Sequence, residues 1–302
     1  MKTFFLTFTT LLFVTVCYGA DDLYSMLTSL NATTFKGLVD QAGLASVLQG
    51  PGPFTLLVPT NAAIAKIPNA DLASVTANAH YLNEIIRYHV ISDVHESHSF
   101  PFGRHLFLNS TNGHVIRVYR SATGTHFNQA TAVKTDINAT NGIIYLLNSA
   151  LNVPEGTVID ILGNPDYQTS KFLELVRQAK LDTNYANPTG LNRYTVFAPS
   201  NAAIDALPAG TLDALSNDTT NLRMLIEYHV HSGTLHSASI VKRHSITTTL
   251  PAHSIAVTTN DAGDIILDNT AQITDDDIEA ENGVVHVITK VLMPHILSPI
   301  IG

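Results

Sequence analysis

Four blocks of this chain recur in the same order at a nearly constant separation, and this duplication limits the possible folds more than any other feature. FKGLVDQAGL (35–44) matches FLELVRQAKL (172–181) at six of ten positions, with an offset of 137. FTLLVPTNAAIAKIP (54–68) matches YTVFAPSNAAIDALP (194–208) at offset 140. LNEIIRYHV (82–90) matches LRMLIEYHV (222–230) at the same offset, and NGIIYLLNSAL (141–151) matches NGVVHVITKVL (282–292) at 141. The offset grows by three only where the loop 182–193 is longer. A period near 140 exceeds the roughly 20–50 residues of solenoid repeats. The expectation is a duplicated domain, 20–152 and 154–300, joined by Asn152-Val153-Pro154, with the two copies packed together.

Each copy changes its pattern along its length. Apolar side chains at Phe35, Leu38, Val39, Ala42 and Leu44 follow helical spacing, which predicts an amphipathic helix over 33–48. Residues 54–58 form a short apolar run closed by proline, as a buried strand would. Thr60-Asn61 and Ser200-Asn201 then offer oxygens to the free N–H groups of a helix start, and Pro68 or Pro208 stops that helix. Alternation over 114–119 and 254–258 predicts strands, followed by turns at Gly124 and Gly263. Asn141-Gly142 and Asn282-Gly283 read as hairpin turns leading into β-branched final strands. Helices first and an antiparallel sheet later argue an α+β fold.

Lys2, an apolar run from Phe4 to Val16, and a small-residue exit at Gly19-Ala20 describe a signal peptide over 1–19. Its removal would take the only cysteine, Cys17, leaving a secreted chain without disulfides, thiol chemistry or cysteine metal sites. Two prolines and a lysine in 288–301 argue against a lipid-anchor tail, and no later segment reads as a membrane span. The net charge of −9 and the absence of basic runs argue against nucleic acid as a partner. Sequons at Asn31, Asn109, Asn138 and Asn217 mark candidate glycosylation sites, which must face solvent.

TVFAPSNAAIDALP, the Tyr-His pair before valine, and NGVVHVITKVL resemble the three signature segments of the fasciclin-like (FAS1) domain, in the family's order, twice. The resemblance covers residues 22–295. It implies two tandem wedge-shaped β-sandwich domains of about seven strands flanked by helices. It also implies a secreted protein of cell adhesion and extracellular matrix, similar to the periostin and TGF-β-induced types. Such proteins bind integrin-type receptors or matrix proteins, and self-association is a further possibility. This chain lacks an Arg-Gly-Asp sequence and a cysteine-rich module.

The family's integrin contact corresponds to Tyr88-His89 and Tyr228-His229. Helical spacing of Leu82, Ile85, Ile86 and His89, and of Leu222, Leu225, Ile226 and His229, puts each histidine on an apolar face. Two readings follow: an adhesive contact, or buried residues satisfied by backbone groups. The sets His95, His98, His105 and His229, His231, His236 are dense enough to weigh as metal sites, but no metal-binding motif accompanies them and surface histidines are expected. Thr274–Glu279 lacks the ligand alternation of a calcium loop and reads as a solvated turn or capped helix start. Val158, Ile161 and Leu162, near a second reported family contact, follow core spacing. No catalytic or cofactor motif stands out. The reading is an adhesion protein that works by binding. The alternatives are a structural matrix component without a receptor and an extracellular metal-binding module.

Overall fold

The computed structural model describes residues 21–187 and 193–300, so the signal peptide expected at 1–19 lies outside the described residues. The first repeat runs α1 (Leu23–Ser29), α2 (Thr33–Gln41), α3 (Ala45–Leu48), β1 (Phe54–Pro59), α4 (Asn61–Ile64), α5 (Asn69–Ala77), α6 (Ala79–Tyr88) and β2 (Val90–Ile91). It continues β3 (His105–Asn109), β4 (Val115–Ser121), β5 (Gly124–Phe127), β6 (Ala130–Ala139) and β7 (Gly142–Leu147). The second repeat runs α7 (Val158–Gly163), α8 (Ser170–Gln178), α9 (Asp182–Tyr185), β8 (Tyr194–Pro199), α10 (Asn201–Asp205), α11 (Thr211–Ser216) and α12 (Thr219–Tyr228). Then follow β9 (Val230–Ser232), α13 (Ser237–Ile240), β10 (Ser245–Thr247), β11 (Ser254–Thr259), β12 (Ile265–Leu267), β13 (Ala271–Ala280) and β14 (Gly283–Ile288).

Both repeats wind the same seven-stranded sheet: β2-β1-β7-β6-β5-β4-β3 and β9-β8-β14-β13-β12-β11-β10. The central pairs β1–β7 and β8–β14 are parallel, and the other pairings are antiparallel. Side chains alternate across a strand. Leu56, Val58, Ile144 and Leu146 therefore face the helices, packing on Phe35, Val39, Leu82 and Ile86. Their neighbours Leu57, Ile143, Tyr145 and Leu147 face inward, against Ile116, Val118 and Phe127 of the second half of the sheet. Burial on both faces explains why β1 and β7 are uninterrupted apolar runs. The molecule is α+β, with helices on one side of a sheet folded into a sandwich-like pair of layers.

Three expectations are corrected. The helix over 33–48 breaks after Gln41, where Gly43 takes a left-handed φ of 70°, and α3 starts a new direction. The hairpin turn is Thr140-Asn141 rather than Asn141-Gly142, because Ala139 pairs with Gly142 and Ala280 with Gly283. Gly142 is a strand residue: a Cβ there would stand 2.1 Å from the Phe54 carbonyl oxygen, and at Gly283 2.0 Å from that of Tyr194. The acidic run 274–279 is no turn or helix start; it lies in β13, where the register shifts between Ile273 and Asp275 and again before Ile278. β6 carries matching shifts, and Asp136 and Asp277 sit at the bulges with φ of 55° and 56°.

Candidate functional site

The repeated stretch that opens each short helix caps two helices at once. The hydroxyls of Thr60 and Ser200 accept from the amides of Ala63 and Ala203 at 3.1 Å. The next residues reach further: Asn61 Oδ1 accepts from Thr34 N at 3.0 Å and Asn201 Oδ1 from Lys171 N at 2.9 Å, closing the starts of α2 and α8. These side chains fasten one element to another.

The Tyr-His pairs end α6 and α12, with each histidine as the C-cap. Tyr88 and His229 are 0% exposed, His89 1% and Tyr228 6%. The Tyr88 hydroxyl donates to the Val115 carbonyl at 2.9 Å and accepts from Asn128 Nδ2 at 2.7 Å. Tyr228 reaches Asp268 Oδ2 at 2.8 Å. Burial raises both phenol pKa values. His89 Nδ1 donates to the Ile85 carbonyl at 2.8 Å and its Nε2 accepts from Leu151 N at 3.0 Å. His229 repeats this with Leu225 at 2.8 Å and Leu292 at 2.9 Å. Burial depresses both imidazoles to about 4, so each ring is neutral with both nitrogens committed to backbone. The adhesive contact expected of these four side chains is corrected on this ground: packed inside the core, they offer no surface to a partner.

The histidine sets do not converge. His95 stacks near Phe100 with ring centroids 6.4 Å apart, and His98 Nδ1 lies 3.1 Å from Glu96. His231 Nδ1 donates to the Thr247 carbonyl at 2.6 Å. Among the described residues no group of three histidine, cysteine or acidic side chains could hold a metal ion. Val158, Ile161 and Leu162 of α7 are buried, and Asn31, Asn109, Asn138 and Asn217 are all exposed.

Sequence reasoning passed over the polar groups that join distant segments. Asn141 Oδ1 accepts from Leu23 N at 2.9 Å, while its Nδ2 donates to the carbonyls of Leu48 at 2.8 Å and Gly50 at 2.7 Å. Asn282 does the same for Val158 N at 2.9 Å and the Tyr185 carbonyl at 2.6 Å. Recurrence of Asn before Gly was the available signal. Asp136 and Asp277 each accept from a serine amide, Ser97 and Ser237, at 2.7 Å.

Between the repeats, Arg117 Nη2 donates to His236 Nδ1 at 2.5 Å, and His236 Nε2 donates to Glu279 Oε1 at 2.6 Å. His236 is 2% and Glu279 6% exposed. The His236 ring thus bridges the half-buried Arg117 guanidinium of one repeat and the buried Glu279 carboxylate of the other. Arg117 Nη1 also donates to the Thr234 carbonyl at 3.3 Å, and His114 lies 3.5 Å from Glu281. No motif marks this network, since its members are single residues in non-repeated positions.

These observations define a class: a tandem-duplicated α+β protein whose recurring side chains brace the fold. The fasciclin domain matches residues 30–154 and 167–294. The chain belongs to the fasciclin domain family. It is 29% identical over 278 residues to transforming growth factor-beta-induced protein ig-h3 of Sus scrofa, covering 90% of this chain and 39% of that protein. It is 26% identical over 285 residues to periostin of Homo sapiens, covering 91% of this chain and 32% of that one. The chain therefore spans well under half the length of these relatives. A solved FAS1 domain pair from the insect cell adhesion molecule fasciclin I is 18% identical, with a TM-score of 0.44, covering 92% of this chain and 97% of that one. Among the described residues no helix is long and apolar enough to cross a membrane.

Proposed function

We propose that the protein is a secreted, glycosylated component of cell adhesion and extracellular matrix that acts by binding integrin-type receptors or matrix proteins, without catalysis. The observation that carries this reading is that both repeats match the fasciclin domain and similarity to ig-h3 runs through 90% of the chain. The two domains divide at Val153, after removal of residues 1–19. Tyr88, His89, Tyr228 and His229 act as positioning residues in this reading. They anchor the ends of α6 and α12, whose outward faces make the contact. His80 and Thr220 occupy equivalent exposed places on those faces, 140 residues apart.

Cell attachment to surfaces coated with residues 20–302 tests the proposal. Wild type is expected to hold cells, and a variant with His80→Glu and Thr220→Glu to hold several-fold fewer while melting at the same temperature. Acidic residues in the first turn of a helix are compatible with its dipole. A wild-type surface that holds no cells overturns the receptor reading and favours a structural matrix component, which would bind matrix proteins or itself without cells.

A further inference from the structure

The groups that join the two repeats divide unevenly between them. Arg117 belongs to the first repeat, whereas His236 and Glu279 both belong to the second. A guanidinium has only donors, so Nδ1 of His236, 2.5 Å from Arg117 Nη2, must accept. The ring proton then sits on Nε2, 2.6 Å from Glu279 Oε1. In this arrangement His236 and Glu279 together present one negative charge to Arg117. A second proton on the ring would set an N–H on Nδ1 against the N–H of Arg117. It would also cancel the Glu279 charge inside the second repeat, and the attraction across the junction would go with it.

Two further observations point the same way. Arg117 Nη2 also donates to the Asn128 carbonyl of its own repeat at 3.1 Å, so it keeps a partner when the imidazole lets go. Its Nε is buried and meets no acceptor among the described residues, a cost that separation relieves by admitting water. Other titratable and charged groups surround the network: His105 of β3, Tyr119 of β4, His126 of β5 with Lys242 facing it, Asp276 and Asp277 of β13, His286 of β14, and Tyr88 facing Glu279. Burial depresses His105, His126 and His286, the first to about 4, so these rings resist a proton. Asp277 is held by the Ser237 amide and hydroxyl, each at 2.7 Å. His114, 3.5 Å from Glu281, crosses the same junction and gains attraction on protonation, but the side chains are 28% and 35% exposed and solvent screens the pair.

We propose that His236 is a proton-operated latch between the repeats: uncharged, it holds Arg117, and protonated, it closes on Glu279 alone and releases the first repeat. The released form takes up the proton that the latched form excludes, so falling pH favours release, in the range of about pH 5–8 where imidazole changes charge. The inference is independent of the adhesion reading. Small-angle X-ray scattering of the mature full chain at pH 7.5 and 5.5 tests it. The radius of gyration should rise by a few ångströms at pH 5.5 while far-ultraviolet circular dichroism stays the same, which separates release from unfolding. His236→Gln, which cannot take up the proton, should show no change in radius between the two pH values. The midpoint of the wild-type expansion should coincide with the titration of the His236 ring, followed by its assigned Cε1–H signal in nuclear magnetic resonance. A wild-type radius that does not change, an equal expansion in His236→Gln, or a midpoint away from the His236 titration overturns the proposal.

Discussion

The amide of Leu151 donates to Nε2 of His89 at 3.0 Å, and Leu292 makes the same bond to His229 at 2.9 Å. In each repeat this bond ties the end of the helix to the chain leaving the last strand, and it requires a neutral ring.

That requirement makes stability pH-dependent. Both histidines have folded pKa values depressed to about 4, against 6.5 in an unfolded chain. Between these values the unfolded chain binds the extra protons, so stability is full above pH 6.5 and is lost as pH falls towards 4. Each site contributes up to about 3 kcal/mol across that window. Burial shifts His286 in the same direction. Melting temperatures measured from pH 7.5 to 4.5 should fall steeply for wild type. A His89→Gln, His229→Gln variant should melt lower at pH 7.5 and show a flatter dependence.

Asn141→Ala would strip partners from two buried backbone groups, Leu23 N and Leu48 O, and from the part-buried Gly50 O. At about 1–3 kcal/mol for each unsatisfied buried group, with water rescuing some, a loss of roughly 3 kcal/mol is expected in chemical denaturation. Gly142→Ala should cost at least as much, since its Cβ would force the parallel pair β1–β7 apart. Gly142→Ala melting like wild type would show that the close approach of the strands is not required.

Much of the fold was legible because its signals are local. The helical spacing around Leu82 and Ile86 and the proline after each central strand depend on neighbours within a few residues. The joining groups were not legible, because their partners lie far along the chain: Asn141 and Leu23 are 118 residues apart, Arg117 and His236 119. Substitution hid another role. The Tyr145 hydroxyl meets the His95 carbonyl at 2.6 Å and Asp136 Oδ1 at 3.0 Å. In the second repeat His286 meets the Leu235 carbonyl at 2.8 Å and accepts from Asp277 N at 3.2 Å. Two chemistries brace the same bulge, and a search for identical letters sees neither. The Tyr-His pair was visible as a repeated motif, yet its letters cannot tell a core residue from a contact.

Arg117 couples the repeats, and its removal should uncouple them. In Arg117→Ala the buried Glu279 carboxylate loses the cation that faces it across His236, so a loss of stability is expected. Calorimetry should show the repeats melting together in wild type and in two separate transitions in the variant. A single transition at the wild-type temperature would mean that the network does not join the repeats.

The four sequons provide the last test, and the duplication supplies its control. Asn31, Asn109, Asn138 and Asn217 are exposed, as an attached glycan requires. Protein secreted from animal cells should weigh more than its chain, and enzymatic deglycosylation should return it to one mass. Asn→Gln at each position identifies which sites carry sugar, with at least two expected. Asn31 is the position where such a change would ordinarily be doubtful, since its φ of 55° is left-handed. The second repeat answers that doubt: Gln168, its counterpart at offset 137, holds a φ of 52°. Asn31→Gln should therefore remove a glycan without unfolding the α1–α2 turn, and an unchanged mass would show that Asn31 carries none.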